Sequence, residues 1–445
     1  MIFGLIASIT IARILGPSGS GAYTLIILVS SMLVTFGSLG IGTSNLYFIA
    51  KRKFRPEDMA SNSVLIASGL GLLLATSFLA YLYYFNPPFL KDADPFYILI
   101  AMFVLPFSLL TSFFSPLLLG EQRIRDYNTL PLIQSISGLC FLLFLFIFIE
   151  KSVFSAIMAW ASATVVTAIM AIQFVSKLTS IRLSFNYFLF KESIKFGLQN
   201  HLGSAVSFLS YRLNMFLVNF FMNITFVGYL SIATALAETL LYLPTAVGTI
   251  MVARTPRLSS KDANESSPVA CRNTIFLSLV AASLVFIFGG IIINMIFGAR
   301  FLPALEPLRI FLPGIVSLSI NKVLCYELVG RGKPLVGSLA GLVALIINIP
   351  LNIILIPTWG ISGAALATTI SYSVSSIIPL YAFTRISQNS LLDTLVIKRQ
   401  DLLIYRELYR DVKRLFTKPQ WPLMDEATHN QPTKGENIND NIKKP

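Results

Sequence analysis

Four ionisable side chains stand inside long apolar stretches of this 445-residue chain: Arg13, Arg212, Glu238 and Lys322. Insertion scales put such a charge at about 2.5–3.5 kcal/mol near the centre of a membrane helix, so each needs a partner or a water-filled space. Glu238 falls close to the middle of its stretch and Arg212 a turn or so outward of the middle of its own, which suits a structural ion pair. Arg13 and Lys322 lie toward the ends of theirs, where a long side chain can snorkel to the interface. The alternative gathers the three cations around one electropositive cavity, which would hold an anion such as a phosphate by charge-assisted hydrogen bonds.

Polar residues at helical spacing extend the cavity reading. Asn200, Ser204, Ser207, Tyr211 and Asn214 form one stripe, and Ser231, Thr234, Glu238, Tyr242, Thr245 and Thr249 a second. Thr24, Ser31, Thr35, Ser38 and Asn45, with Gly42, form a third. A lipid-facing helix is apolar all round, so a polar stripe marks a face turned inward. Small hydroxyls also glue helices together, and that reading suits the Ser and Thr positions. Tyrosine, asparagine and charge on the same faces favour a lining. The candidate binding residues are therefore Arg13, Asn200, Ser204, Tyr211, Arg212, Asn214, Glu238, Tyr242 and Lys322. Pro106, Pro116, Pro244 and Pro313 fall inside apolar stretches and permit bends.

Covalent chemistry has little to work with. The only histidines are His201 and His429, and Cys140, Cys271 and Cys325 are too scattered for a disulfide framework or a metal site. Asp92-Ala93-Asp94 matches the pattern that holds a metal–nucleotide sugar, but a solvated loop explains three residues more simply. No catalytic residue, metal or cofactor is expected.

The elements that must position these residues are membrane spans. Hydrophobic residues make up 55% of the chain and charged ones 12%, about half the charge of a soluble domain. Apolar blocks long enough to cross ~30 Å of hydrocarbon occupy 1–15, 22–50, 62–85, 96–119, 130–149, 153–176, 194–221, 226–252, 272–298, 305–328, 335–356 and 360–384. The first reaches only ~21 Å, so either it is short or the natural start lies upstream of Met1. No basic segment precedes it, and no cleavable signal is expected. The loops after even-numbered spans hold sixteen Lys and Arg residues, from Lys51–Arg55 to Arg331 and Lys333. Those after odd-numbered spans hold Lys91, Lys151 and Arg300. Basic residues collect on the cytoplasmic side, so the alternation gives twelve spans with both termini cytoplasmic. It also explains the net charge of +13 without nucleic acid.

Six spans return the chain to its starting side, so two six-span halves share one orientation. Gly21-Ala22-Tyr23 after the first span echoes Phe226-Val227-Gly228-Tyr229 after the seventh, and a site between the halves near the midplane is expected. The expected organisation is a lobe over 1–176, a cytoplasmic linker over 177–193 and a second lobe over 194–385. A basic amphipathic helix over 386–416 follows, with Leu402, Tyr405, Leu408, Val412 and Leu415 on one face. It suits an anionic leaflet, with plain solvation as the alternative. The polar tail 417–445 reads as disordered.

These residues resemble the multidrug/oligosaccharidyl-lipid/polysaccharide (MOP) superfamily, in its polysaccharide-transporter branch of Wzx-type flippases, over nearly the whole membrane region. Ala12-Arg13-Ile14-Leu15-Gly16-Pro17 with Gly21-Ala22-Tyr23 is similar to its first-hairpin signature. Tyr211-Arg212-Leu213, Gly228-Tyr229, Ala237-Glu238 and Pro256-Arg257-Leu258 resemble the start of its second lobe. Gly330-Arg331-Gly332-Lys333-Pro334, Asn348, Asn352 and Leu355-Ile356-Pro357-Thr358-Trp359-Gly360-Ile361-Ser362-Gly363 resemble its last two spans.

The resemblance implies an all-α, MATE-like bundle whose two six-helix lobes enclose a cavity lined by spans 1, 2, 7 and 8. It implies a cargo of polyprenyl-pyrophosphate-linked oligosaccharide, destined for O-antigen, capsule or exopolysaccharide, held by Arg13 and Arg212 while its tail stays in lipid. Partners would be that cargo, membrane lipids, a polysaccharide polymerase and glycosyltransferases. Arg13 matches an arginine of the lipid II flippase branch, but that branch's cation in the eighth helix is replaced by the stretch Ala237-Glu238-Thr239-Leu240. The family often has fourteen helices rather than twelve.

Two rivals remain on sequence grounds. A cation-coupled drug or metabolite antiporter of the same superfamily would need an intramembrane carboxylate, for which Glu238 and Glu327 are the candidates. A membrane glycosyltransferase or polymerase would need an extracytoplasmic catalytic domain that the short outer loops leave no room for.

Overall fold

The computed structural model describes residues 2–401, less the side chains of 199, 200, 202, 204 and 253. Helices follow the apolar blocks. In the first lobe they are α1 (Ile2–Gly37), α2 (Ile41–Ala50), α3 (Pro56–Phe85), α4 (Pro95–Gly120), α5 (Ile124–Phe148) and α6 (Val153–Ser176). In the second they are α7 (Tyr187–Phe221), α8 (Ile224–Thr239), α9 (Tyr242–Arg254), α10 (Ser260–Ile296), α11 (Leu305–Gly330) and α12 (Leu335–Ser387), with a short α13 (Leu391–Leu395). Among the described residues eight helices are long and apolar enough to cross a membrane, or nine if the bent pair around Leu240–Leu241 is one span. α1 and α12 each contain two limbs, and α7 adds a 35-residue helix, giving twelve spans.

The breaks have local causes. Gly16 takes φ 68° and divides α1 into limbs that meet at Pro17, and Gly360 at φ 59° divides α12 in the same way. The first break is this single joint rather than the expected six-residue loop, and Gly21 is helical. The second span is α1's second limb plus α2, interrupted where Leu39 and Gly40 take φ 49° and 72°. The eighth span, expected over 226–252 with Pro244 permitting a bend, is bent by 45° between α8 and α9, just ahead of that proline. Pro106, Pro116 and Pro313 sit inside helices that continue through them.

Four spans start earlier than their apolar blocks: α3 at Pro56, α5 at Ile124, α7 at Tyr187 and α10 at Ser260. All four begin at the end of the bundle where the basic loops collect, hereafter the basic end. Hydropathy marks only the part of a helix inside hydrocarbon, whereas backbone hydrogen bonding continues until a cap is reached. Here the caps include the side chains of Asn186 and Ser259, which accept from Leu189 N and Asp262 N.

The two lobes repeat one design. α4 and α11 both end in a glycine, Gly120 and Gly330, followed two residues on by a left-handed residue, Gln122 (φ 59°) and Gly332 (φ 75°). The closing bonds match: Arg123 N donates to Leu118 O at 2.9 Å and Lys333 N to Leu328 O at 2.8 Å.

Apolar packing differs between the two ends. Toward the neutral end one core runs through both lobes, from Leu25, Ile26 and Leu105 to Leu230, Phe301 and Leu308. Toward the basic end there are two: Phe48, Met59, Phe113, Phe114 and Leu189 in one, Met251, Cys271, Val323 and Phe383 in the other. The first turns of α7 join the first of these, because a strap ties them there. Asn62 Nδ2 donates to Asn186 O and Asn186 N to Asn62 Oδ1, both at 2.8 Å. Tyr47 stacks on Phe196 with centroids 4.4 Å apart, and Lys53 pairs with Glu192 at 2.8 Å. The Lys53 hydrogen bond holds the Glu192 carboxyl below the usual carboxylate range.

The second lobe has its own basic-end tie. Glu327, fully buried, accepts from Thr255 and Ser267 and pairs with Arg331 at 2.8 Å. Arg331 also donates to Asn264. Beyond α12, Gln388 at φ 58° ends the helix and α13 docks on α10, Arg272 donating to Asp393 O. An unbroken helix from 386 is thus absent over its described part. Leu402, Tyr405, Leu408, Val412, Leu415 and the tail lie outside the described residues.

Candidate functional site

Two of the four intramembrane charges pair with one another. Arg212, on α7, grips Glu238 through two parallel hydrogen bonds, Nη1–Oε1 at 3.1 Å and Nη2–Oε2 at 3.2 Å. Glu238 is in the last turn of α8, where the helix dipole disfavours an anion; the guanidinium offsets this and fixes the carboxylate beside the bend. Both side chains keep about a third of their surface open, 33% and 29%.

Lys322 belongs to the same neighbourhood. Its Nζ lies 5.7 Å from the centre of the Tyr211 ring, and Tyr211 meets Tyr372 of α12 with centroids 5.8 Å apart. Glu238 is within electrostatic reach of Lys322 and both tyrosines. The ammonium and the rings open on a cavity of about 230 Å³, lined also by Ser207, Ser210, Asn321, Cys325, Tyr326 and Ser375. Gly337 and Gly341 of α12 leave one wall without side chains. Through these glycines and Ser207 the cavity adjoins a second, of about 610 Å³, which reaches the first lobe at Thr35. Phe36 and Phe208 meet edge to face at 6.2 Å across the lobes beside it. A cation over aromatic faces, surrounded by neutral hydroxyls and amides, suits an anionic group carrying polar, ring-shaped substituents.

The structure divides the sequence candidates. Tyr211, Arg212, Glu238 and Lys322 come together. Asn214 is buried on the same helix, and its Oδ1 has no hydrogen-bond partner. Tyr242 begins α9 just past the bend, is 53% exposed and lines neither cavity. The side chains of Asn200 and Ser204 lie outside the described ones. Arg13 stands elsewhere, near the neutral end of α1, and donates through Nε to Ile296 O at 2.7 Å and through Nη2 to Met295 O.

The stripes divide as well. Thr35 reaches the cavity, but Asn45, past the break at Gly40, is buried in the first lobe and donates to Ser63 and the Phe113 carbonyl. Ser231, Thr245 and Thr249 bond back to their own helices. Asp94 accepts from Phe96 N as the cap of α4, which accounts for the Asp92–Asp94 pattern. Tyr372, Asn321 and Ser375 were missed from sequence, although Thr368, Ser371, Tyr372, Ser375 and Ser376 form a polar stripe like those that were read.

Comparison with known proteins adds to this geometry. A family model described as "Polysaccharide biosynthesis protein" matches residues 1–262. The chain is 23% identical over 414 residues to an uncharacterized membrane protein of Methanocaldococcus jannaschii, a match covering 87% of this chain and 81% of that one. It is 24% identical over 166 residues to a probable low-salt glycan biosynthesis flippase of Haloferax volcanii, covering 36% of this chain and 35% of the other. Among solved structures, lipid II flippase MurJ in an inward closed conformation superposes with a TM-score of 0.70 at 18% identity, over 93% of this chain and 96% of that one. An inward-facing MATE family transporter of the MOP superfamily gives 0.70 at 15% identity, over 87% and 94%. An outward-facing MATE transporter gives 0.61 at 16% identity, over 87% and 92%. At these identities the structural likeness is one of fold.

Proposed function

The chain belongs to the polysaccharide biosynthesis protein family, and from that premise we propose that it flips a polyprenyl-pyrophosphate-linked oligosaccharide across the cell membrane by alternating access. The cargo would serve surface polysaccharide such as O-antigen, capsule or exopolysaccharide, made and extended by partner glycosyltransferases and a polymerase. The positive-inside rule puts the basic end and both termini in the cytoplasm. In this reading the lobes divide within α7 rather than at the expected 177–193 linker, the first turns of α7 moving with the first lobe through the strap.

The observation that carries this reading is Lys322 over Tyr211 at the rim of a cavity that runs from the second lobe to Thr35 of the first. Lys322 binds the pyrophosphate, the tyrosines stack on sugar faces, and Ser207, Ser210, Asn321 and Ser375 take hydroxyls. Arg212, neutralised by Glu238 in this state, becomes available if the α8–α9 bend changes. Arg13 is left out of the headgroup site in this reading, because in this state it donates to the Met295 and Ile296 carbonyls at the neutral end. The tail stays in lipid between the lobes while the lobes rock.

The antiporter reading has less to stand on. Glu238 and Glu327, the carboxylates proposed for coupling, are each paired with an arginine. Deleting the chromosomal copy tests both readings. Flipping predicts loss of surface glycan and accumulation of its lipid-linked precursor; normal glycan with new drug sensitivity would favour the antiporter.

A further inference from the structure

At the neutral end, beside the apolar core the lobes share, side chains of each lobe reach main-chain carbonyls of the other. Arg13 holds the carbonyls of Met295 and Ile296, the last two residues of α10. Lys91, between α3 and α4, donates Nζ to the carbonyl of Met222, the residue that caps α7, at 3.0 Å. Asn219 of α7 returns the contact, donating to Phe89 O at 3.0 Å. The final carbonyls of a helix have no donor within it and carry about half a unit of negative charge, so a cation is the group that suits them. Between these contacts the backbones of Pro17–Gly21 and Ile224–Gly228 touch.

We infer that Arg13 and Lys91 are the latch of the neutral end: each bridges the lobes by capping a helix of the second, and each must leave its carbonyl whenever that end opens. The inference rests on the alternating-access reading. Three features suit a contact made and broken repeatedly. Both side chains are exposed and long enough to snorkel to the interface on release. All the acceptors are neutral, so no ion pair has to be separated. Opening at this end has to split the one apolar core the lobes share, whereas at the basic end their cores are already separate. The latch also gives the cargo a way to act. A phosphate accepts more strongly from arginine than a carbonyl does, so a headgroup reaching this end would compete Arg13 away from α10.

The test reads accessibility and needs no cargo. In a Cys140→Ser, Cys325→Ser background, Ser207→Cys places a thiol at the junction of the two cavities. A membrane-impermeant maleimide is applied to sealed vesicles of both orientations. Arg13→Gln should speed labelling from the neutral-end side about tenfold, the worth of one charge-assisted hydrogen bond, and slow it from the basic side. Arg13→Lys, which keeps the charge and one donor, should fall between. Lys91→Gln makes the same measurement on a loop residue, should Arg13→Gln lower membrane abundance. Unchanged rates from both sides in Arg13→Gln, or in Lys91→Gln if only that variant is abundant, would overturn the latch. Shifted rates alongside normal surface glycan in a deletion strain would keep the latch and reject the flippase reading.

Discussion

Gly21 and Gly228 occupy equivalent places in the two lobes and lie against each other where the lobes join. A β-carbon on Gly21 would run into the carbonyl of Ile224, four residues before Gly228, and one on Gly228 into the carbonyl of Pro17, four residues before Gly21. Each partner thus meets the other through the same surface, the mark of a two-fold contact, here within one chain. The approximate two-fold axis passes between these two residues, and their contact closes the neutral end in this state.

Substitution should have opposite signs at two superficially similar glycines. Gly21→Val forces backbone apart and should cost about 1–3 kcal/mol. Gly69→Ala, on α3 with nothing within 4 Å of the added carbon, should stabilise by about 0.5–1 kcal/mol through helix propensity. Thermal unfolding of the purified protein in detergent reads both. Equal effects would remove Gly21 from a privileged contact.

Arg212 and Glu238 should behave as a coupled pair. Each alone left charged would lose its partner on the neighbouring helix. Being about a third exposed (33% and 29%), the pair should show a coupling of about 1–2 kcal/mol, below that of a dry ion pair. A double-mutant cycle with Arg212→Ala and Glu238→Ala measures it; additive losses would mean the two bonds contribute nothing jointly.

Glu327 should matter for folding and leave transport alone. It is fully buried, with Thr255, Ser267 and Arg331 around it. Glu327→Gln strands the Arg331 charge and should cost about 3 kcal/mol, read as a lower Tm, while glycan export per folded molecule stays normal. Export that instead loses its dependence on an ion gradient would return Glu327 to the role of coupling carboxylate.

Much of this was legible in the chain. Spans of hydrocarbon length and alternating loop charge gave the bundle, because lipid forbids unsatisfied backbone and the inner leaflet attracts cations. Opposite charges in neighbouring spans made Arg212–Glu238 a natural pair. Arg13 was read near the end of the first span, but its partners could not be: they are backbone carbonyls of α10, 282 and 283 residues away, and a carbonyl has no letter in the sequence. The early starts of α3, α5, α7 and α10 were hidden because hydropathy stops at the hydrocarbon edge while capping does not. Tyr372 was overlooked although its stripe was no less legible than the uncharged one from Thr24 to Asn45.

The central claim is that the cavity beside Lys322 carries the headgroup. It is tested most directly in proteoliposomes holding a fluorescent polyprenyl-diphosphate oligosaccharide made with the host's own glycosyltransferases, its transbilayer movement followed by quenching from outside. The native chain should move the lipid, and Lys322→Gln should slow it at least about tenfold, one lost charge-assisted contact, at equal reconstituted protein. Equal rates for the native chain and Lys322→Gln would contradict the account.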